Sequence, residues 1–171
     1  MWVRKPSELK LPIANTENLR ISHFNLPKTF CKFYFSTLTY LFNPTTADHV
    51  GLWKIQGQLS SPWGTTNFTF KLNVINDPPE FVGFLGQTLK EHVDTVEYYK
   101  LPETKDNEGL KVSVATYEKG KTGELPRFVR FDKKAREYEV EPTDKNAKVN
   151  QTYTIQIDLI DAFGKTSHYE F

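Results

Sequence analysis

The sequence predicts an all-β protein made of two similar antiparallel β-sandwiches in tandem. Three observations support this fold class: an internal repeat with an offset of about 100 residues, segments that alternate apolar and polar residues, and turn residues spread between those segments. Successive side chains of a strand point to opposite faces of a sheet, so a period of two indicates a strand with one buried face. No segment shows the apolar spacing and capping of an amphipathic helix.

Composition agrees with a β protein and argues against several function classes. Aromatic residues make up 14% of the 171 residues, and such side chains suit a half-buried pleated surface. Lys plus Arg total 22 against 21 Asp plus Glu, so charge does not favour nucleic acid or an anionic membrane as a partner. No stretch approaches the roughly 20 apolar residues of a membrane-spanning helix. We therefore expect no nucleic acid partner and no direct membrane insertion.

The internal repeat keeps its matched segments in the same order in both halves. From the N-terminus, the matches are Leu11-Pro12 with Leu101-Pro102, Leu26-Pro27 with Leu125-Pro126, and Trp53-Lys54-Ile55-Gln56 with Tyr153-Thr154-Ile155-Gln156. Chance is a poor explanation for several anchors in one order. The repeat predicts two domains, residues 1–77 and 78–171, with a linker around residues 76–80.

The predicted strands follow the alternating segments. They include residues 53–59 and 68–75 in repeat 1, and 110–114, 128–131 and 153–159 in repeat 2. Turn-forming residues lie between them at 106–109, 119–123 and 161–164, where Gly, Asn and Asp supply the conformations that turns need. We expect six or seven short strands per repeat, which is typical of a sandwich.

The last strand of repeat 2 is predicted to be truncated. In repeat 1 this strand runs from Thr65 to Ile75, whereas its counterpart stops at Phe171, which aligns with Phe70. A shortened strand exposes a hydrogen-bonding edge, and natural proteins normally protect such edges. We expect the chain to be part of a longer array; the alternative is that another chain supplies the missing strand.

The residues at the repeat junction resemble those of cadherin-like proteins with the Ig-like fold. The segment 74–81, with its Asn-Asp-Pro-Pro sequence, resembles the inter-repeat junction. The segments 106–110 and 161–164 resemble the two acidic loops, and 125–128 is similar to the Leu-Pro-aromatic strand of dystroglycan-type cadherin domains. The resemblance implies tandem Ig-like repeats that serve adhesion or structural spacing in large surface proteins.

The same resemblance implies a calcium site at the junction. Ca²⁺ takes six to eight oxygen ligands, and the residues at the matching positions are Asn76, Asp77, Asp106, Glu108 and Asp161. Repeat 1 departs from the pattern, because residues 15–18 and 60–62 offer few acids where acids are expected. The alternative interpretation is that these residues only form turns and stiffen the junction, with no cofactor.

Other residues stand out singly. Asn67-Phe68-Thr69 and Asn150-Gln151-Thr152 are acceptor sequences for N-glycosylation. Trp63 lies in a Pro-Trp-Gly turn and is a candidate contact residue. Trp53 and Tyr153 share one repeat position and are interpreted as core, as is the single cysteine, Cys31, which aligns with Val129.

No pattern of catalytic residues emerges, so we predict a protein that is not an enzyme. The favoured function is a structural or adhesion module of an extracellular or cell-surface protein, with protein partners or neighbouring repeats bound along sandwich faces and open strand edges. Three alternatives stay open. These are a carbohydrate-binding domain, an accessory domain of a larger secreted protein, and an intracellular accessory subunit of a large assembly.

Overall fold

Turn residues divide the chain into short strands that form antiparallel sheets. The computed structural model describes residues 1–13, 18–86, 89–121, 123–148 and 150–171. The chain divides into two compact units, Met1–Asn76 (unit 1) and Asp77–Phe171 (unit 2). Each unit is described by itself.

Unit 1 contains two three-stranded antiparallel sheets. Its strands are β1 (Ser7–Lys10), β2 (Arg20–His23), β3 (Cys31–Tyr34), β4 (Thr39–Phe42), β5 (Gly51–Ser61) and β6 (Gly64–Val74). One sheet has the order β1-β4-β3 and the other β2-β5-β6. A short 3-10 helix, Ala47–His49, connects β4 to β5.

Unit 2 repeats this arrangement and adds a small two-stranded sheet. Its strands are β7 (Glu80–Phe81), β8 (Glu97–Lys100), β9 (Thr104–Lys105), β10 (Ser113–Glu118), β11 (Val129–Asp132), β12 (Glu137–Val140), β13 (Ile155–Ile160) and β14 (Thr166–Glu170). The sheets have the orders β11-β12-β8, β10-β13-β14 and β7-β9. The first two match the sheets of unit 1 strand for strand.

This two-sheet order is that of an Ig-like sandwich, and the predicted all-β class of tandem Ig-like β-sandwiches is confirmed. One strand limit differs from the prediction. The strand expected from Leu110 begins at Ser113, because Asp106 Oδ1 accepts the backbone N–H of Leu110 at 2.8 Å and so prolongs the loop. The last strand of unit 2 is short, as predicted: β14 has 5 residues, whereas its counterpart β6 has 11.

A buried tyrosine joins the two sheets in each unit. Tyr40 in β4 and Tyr138 in β12 both have 0% exposure. The Tyr40 hydroxyl lies 2.7 Å from Nε2 of His23 in β2, and the Tyr138 hydroxyl lies 2.5 Å from Oγ1 of Thr116 in β10. Since β2 and β10 belong to the opposite sheets, each hydroxyl is hydrogen-bonded across the sandwich, as a buried polar group requires.

A second repeated contact lies where β5 and β13 begin. The Trp53 indole donates to the carbonyl oxygen of His49 at 2.8 Å, and the Tyr153 hydroxyl accepts the N–H of Lys148 at 3.1 Å. The second contact resembles the tyrosine corner of Ig-like domains. The rings pack edge-on in the pairs Phe30–Trp53 and Phe128–Tyr153, with centroids 5.0 Å and 4.8 Å apart. Both residues therefore contribute to the packing, as the repeat suggests.

The interiors of the two units differ most where β5 pairs with β6 in unit 1 and β13 pairs with β14 in unit 2. Gly57 pairs with Phe68, and at the equivalent position Ile157 pairs with Tyr169. A methyl group on Gly57 would overlap the Phe68 ring and would lie 2.6 Å from the Ser22 carbonyl oxygen. Unit 1 thus fills this part of its interior from β6, whereas unit 2 fills it from β13.

Cys31 behaves as a core residue. Its thiol is free and its exposure is 2%, and it lies opposite Phe42 as Val129 lies opposite Val140. Burial raises the pKa of the thiol to about 12. A thiol held neutral is a poor nucleophile, so the position serves packing.

The half-buried His23 gives unit 1 a pH-dependent stability. Burial lowers the pKa of His23, so the unfolded chain takes up a proton more readily than the folded unit. The stabilising contribution is complete above the unfolded pKa of about 6.5 and is lost as pH falls below it. We expect the melting temperature of unit 1 to drop by a few degrees between pH 7.5 and 5.5.

Tryptophan fluorescence measures this transition selectively, because all three tryptophans (Trp2, Trp53 and Trp63) belong to unit 1. The matched control is His23→Thr, which places the unit 2 residue at the same position and keeps a hydrogen-bonding partner for Tyr40. An equal pH dependence in both proteins would contradict the role of His23.

Candidate functional sites

The first acidic loop of unit 2 is folded by its own aspartate. Asp106 Oδ1 accepts the backbone N–H groups of Glu108 at 2.9 Å and Leu110 at 2.8 Å. Its second oxygen, Oδ2, is buried and has no hydrogen-bond partner among the described residues. Asn107, between them, donates from Nδ2 to Asp77 Oδ2 at 3.4 Å. The structure therefore brings together three of the predicted site residues, Asp77, Asp106 and Glu108.

Glu108 is the most unusual member of this group. Its exposure is 6%, and neither carboxylate oxygen makes a hydrogen bond of standard geometry to the part of the chain that the structure describes. Burial raises the pKa of Glu108; the carboxylates of Asp106 and Asp77 raise it further, while the backbone N–H groups of Asp77 and Glu108 oppose the shift. A carboxylate in this setting gains from a proton or from a cation.

The remaining predicted ligands are placed differently. Asp161 is buried and uses Oδ1 to accept the N–H groups of Phe163 at 2.7 Å and Lys165 at 2.9 Å, which fixes the turn before β14. Asn76 is buried and is the last residue of unit 1. Residues 14–17, where repeat 1 lacks the expected acids, lie outside the described part of the chain. Within the described part, no three or more His, Cys, Asp or Glu side chains are grouped so as to hold a metal ion.

Both acceptor asparagines for N-glycans are exposed. Asn67 lies in β6 opposite Gln58, whose Nε2 donates to its Oδ1 at 3.2 Å. Asn150 lies in the loop before β13, with a left-handed φ of 58°. Exposure makes both side chains accessible, and glycosylation itself stays a prediction. No helix among the described residues is long and apolar enough to cross a membrane.

Trp63 lies at the tip of the β5–β6 hairpin and is 80% exposed. Its backbone N–H donates to Ser61 Oγ at 3.3 Å, which holds the turn. Isolated apolar side chains on a surface are common, so the predicted contact role stays a prediction.

The outward face of the sheet β10-β13-β14 carries a polar network that sequence reasoning missed. Asp158 accepts from Tyr117 at 2.8 Å and lies 2.7 Å from His168 Nδ1, while Gln156 Nε2 donates to Tyr117 at 2.6 Å. Burial alone would raise the pKa of Asp158, but the hydrogen bonds from His168, Tyr117 and Gln156 outweigh it and lower the pKa. The alternating pattern placed Asp158 on this face, but only the register reveals its neighbours.

Comparison with solved structures supports the fold. The chain is similar to titin domains z1z2 in complex with telethonin, with a TM-score of 0.53, 14% identity, and coverage of 99% of this chain and 88% of that chain. It is also similar to Drosophila OTK extracellular domains 3–5, with a TM-score of 0.44, 12% identity, and coverage of 99% of this chain and 56% of that one. The titin structure supports an Ig-like fold, and at 14% identity it shows the fold alone.

A glycoside hydrolase also matches. An endo-fucoidan hydrolase of family 107 has a TM-score of 0.41 and 15% identity over 99% of this chain, which spans only 26% of the hydrolase. The chain thus spans well under two thirds of the hydrolase and of the OTK fragment. No protein-family model and no curated protein sequence matches the chain.

Replacement of Glu108 by glutamine should stabilise unit 2 at neutral pH. Because the pKa of Glu108 is raised, its contribution to stability is best below the unfolded pKa of about 4.3 and is lost as pH rises through the folded pKa. The amide has the same shape and carries no charge. We expect a gain on the order of 1 kcal/mol at pH 7 that disappears near pH 4.

Differential scanning calorimetry in the presence of a chelator measures this gain, and tryptophan fluorescence identifies the unit 1 transition. The control is Glu141→Gln, an exposed glutamate of the same unit, which should change nothing. A loss of stability in Glu108→Gln at pH 7 would show that the carboxylate is favourably solvated.

Proposed function

We propose that the chain is a non-catalytic structural and adhesion module of an extracellular or cell-surface protein, built from two cadherin-like, Ig-like repeats. The observation that carries the proposal is a contrast between interior and surface. The two units share the cross-sheet tyrosine and the packed ring at the start of β5 and β13. Their outward-facing side chains differ.

The contrast is clearest on the equivalent outward faces. In unit 1 the side chains form an amide and hydroxyl ladder, with Gln56 donating to Thr69 at 3.5 Å and Gln58 donating to Asn67 at 3.2 Å. In unit 2 the same positions hold Asp158 and His168, whose side chains lie 2.7 Å apart, and Glu170, which pairs with Lys119 at 2.9 Å. A retained scaffold with divergent surfaces suits modules that space a protein and present different contact faces.

Glycan mapping of the native protein tests the extracellular part of this proposal. Tryptic peptides that contain Asn67 and Asn150 should carry glycan mass, which peptide-N-glycosidase removes to leave aspartate. Asn43-Pro44-Thr45 is an internal control, because its asparagine is exposed but the proline blocks modification. Bare asparagines at both sites would favour the intracellular subunit.

A second candidate function is calcium binding that stiffens the start of unit 2. It is favoured by the oxygens of Asp106 and Glu108 that are buried and make no standard hydrogen bond among the described residues. Asp77, Asp106 and Glu108 offer carboxylate oxygens of the kind that Ca²⁺ binds, and they would have to draw together around the ion, because no three such side chains of the described residues are grouped to hold a metal. A bound cation would compensate the charge that burial penalises at Glu108. The same residues would then hold the start of unit 2 rigid.

A calcium titration of the melting temperature tests this candidate. With a dissociation constant on the order of 10⁻⁴–10⁻³ M, as in extracellular modules, ~5 mM Ca²⁺ should raise the transition of unit 2 by several degrees and leave that of unit 1 unchanged. Glu108→Gln should abolish the response. An unchanged transition in the wild-type chain would leave only the turn-forming role.

A further inference from the structure

We propose that an open groove on unit 2 binds an extended segment of a partner protein, which adds as a strand and inserts one large apolar side chain with an acidic residue two positions along. The groove lies between strands β10 and β11 and has a volume of about 350 Å³. It is lined mainly by Ala115, Thr116, Tyr117, Leu125, Phe131 and Lys133. This inference rests on the proposed function as a binding module and assigns that module a site and a partner chemistry.

The groove exists because unit 2 has a small side chain where unit 1 has a large one. His23 pairs with Gly57 and Thr116 with Ile157, so the two residues occupy one position of the fold. In unit 1 the His23 ring fills the space between the sheets and lies 5.0 Å from the ring of Phe33. Thr116 makes the same hydrogen bond to the buried tyrosine and, with a smaller side chain than histidine, lines the groove.

The floor of the groove is apolar. Phe131 occupies the position of Phe33, opposite the buried tyrosine, and its ring lies 4.7 Å from that of Tyr138. Leu125 and Phe131 are both only partly buried. A volume of about 350 Å³ lies at the lower end of the range for ligand-binding pockets and suits one large aliphatic or aromatic side chain.

Both walls of the groove are strand edges. Among the described residues, β10 forms a strand pair with β13 alone and β11 with β12 alone, and the loop residue Glu124 contacts the edge of β10 at Glu118. The N–H of Glu118 donates to Glu124 at 2.7 Å rather than to β13, so Thr116, two residues earlier, also directs its backbone groups away from β13. Phe128 accepts the N–H of Glu141 beside β12, so by the same alternation Phe131 directs its backbone groups to the free edge.

An edge of this kind is completed by strand addition. Main-chain hydrogen bonds give affinity, and pockets for alternate side chains give specificity. The alternation of a strand means that an incoming segment inserts every second side chain toward the groove. The occupant is therefore an extended segment, whose central inward residue fills the space beside Thr116.

The charge of Lys133 at the rim of the groove predicts the type of the next inward-facing residue of the partner segment. Lys133 is exposed and, among the described residues, makes no ion pair. The neighbouring Asp132 uses Oδ1 for the N–H groups of Lys134 and Ala135, which fixes the turn. Lys133 follows Phe131 by two residues, at the start of the turn after β11, and both residues line the groove. An acidic residue two positions from the inserted apolar residue matches this spacing.

The test uses a capped seven-residue peptide that alternates threonine with, in order, valine, phenylalanine and glutamate. It is titrated to ~1 mM into the ¹⁵N-labelled 171-residue chain. Amide shifts should cluster on β10, β11 and Leu125. Thr116→His, which copies unit 1 and fills the space, should weaken binding about tenfold or more, with the far-ultraviolet circular dichroism unchanged.

A charge exchange provides the second arm and does not depend on the core. Lys133→Glu changes an exposed residue and should weaken binding of the glutamate peptide. A peptide with lysine in place of glutamate should restore the affinity of this variant. Shifts confined to other surfaces, no saturable shifts, or unchanged affinity in Thr116→His would each overturn the groove proposal. Glycan on Asn67 or Asn150 together with any of these results would leave the proposed function intact.

Discussion

In both units, the packing of the two sheets depends on a hydrogen bond that one buried tyrosine makes across the sandwich. Tyr40 and Tyr138 lie in the central strands of their sheets, where a hydroxyl without a partner would cost about 1–3 kcal/mol. The partner must therefore come from the opposite sheet, and this fixes how the two sheets face each other. The requirement does not fix which residue supplies the partner. The partner is therefore a different residue in each unit, His23 in unit 1 and Thr116 in unit 2.

The residue that bonds the tyrosine hydroxyl determines whether a titratable group lies beside the tyrosine and how the neighbouring space is packed. An imidazole at position 23 brings a titratable group into the interior and packs its ring against Phe33. A threonine at position 116 brings no titratable group and leaves space beside Phe131. The difference between His23 and Thr116 thus gives unit 1 a titratable group beside its buried tyrosine and gives unit 2 a groove there.

The fold was predictable because its signals are local. Alternation along residues 153–159 follows from one buried face, and the repeat identifies Trp53 and Tyr153 as one position. Features that depend on register or on distant groups were not predictable. His49 reads as a polar loop residue, yet it is buried and accepts the N–H of Thr45 at Nδ1, 2.9 Å away.

The candidate sites show the same division. The resemblance at the junction brought Asp77, Asp106 and Glu108 into one hypothesis, and the structure places them together. It could not show that Glu108 is buried with unsatisfied oxygens, because burial depends on the packing of the whole loop. The exposure of Trp63 follows from its turn, whereas the groove beside Thr116 required the comparison of two interiors.

The two units differ in one cross-strand pair, which is Gly57–Phe68 in unit 1 and Ile157–Tyr169 in unit 2. This difference helps each unit to pair its own strands during folding. Neighbouring domains of similar sequence are prone to trade strands during folding. A hybrid sheet that paired β13 with β6 would set Ile157 against Phe68, and the space that Phe68 needs exists only beside a glycine. The large residue thus resides on different strands in the two units, and this mismatch in shape discriminates against a misassembled chain.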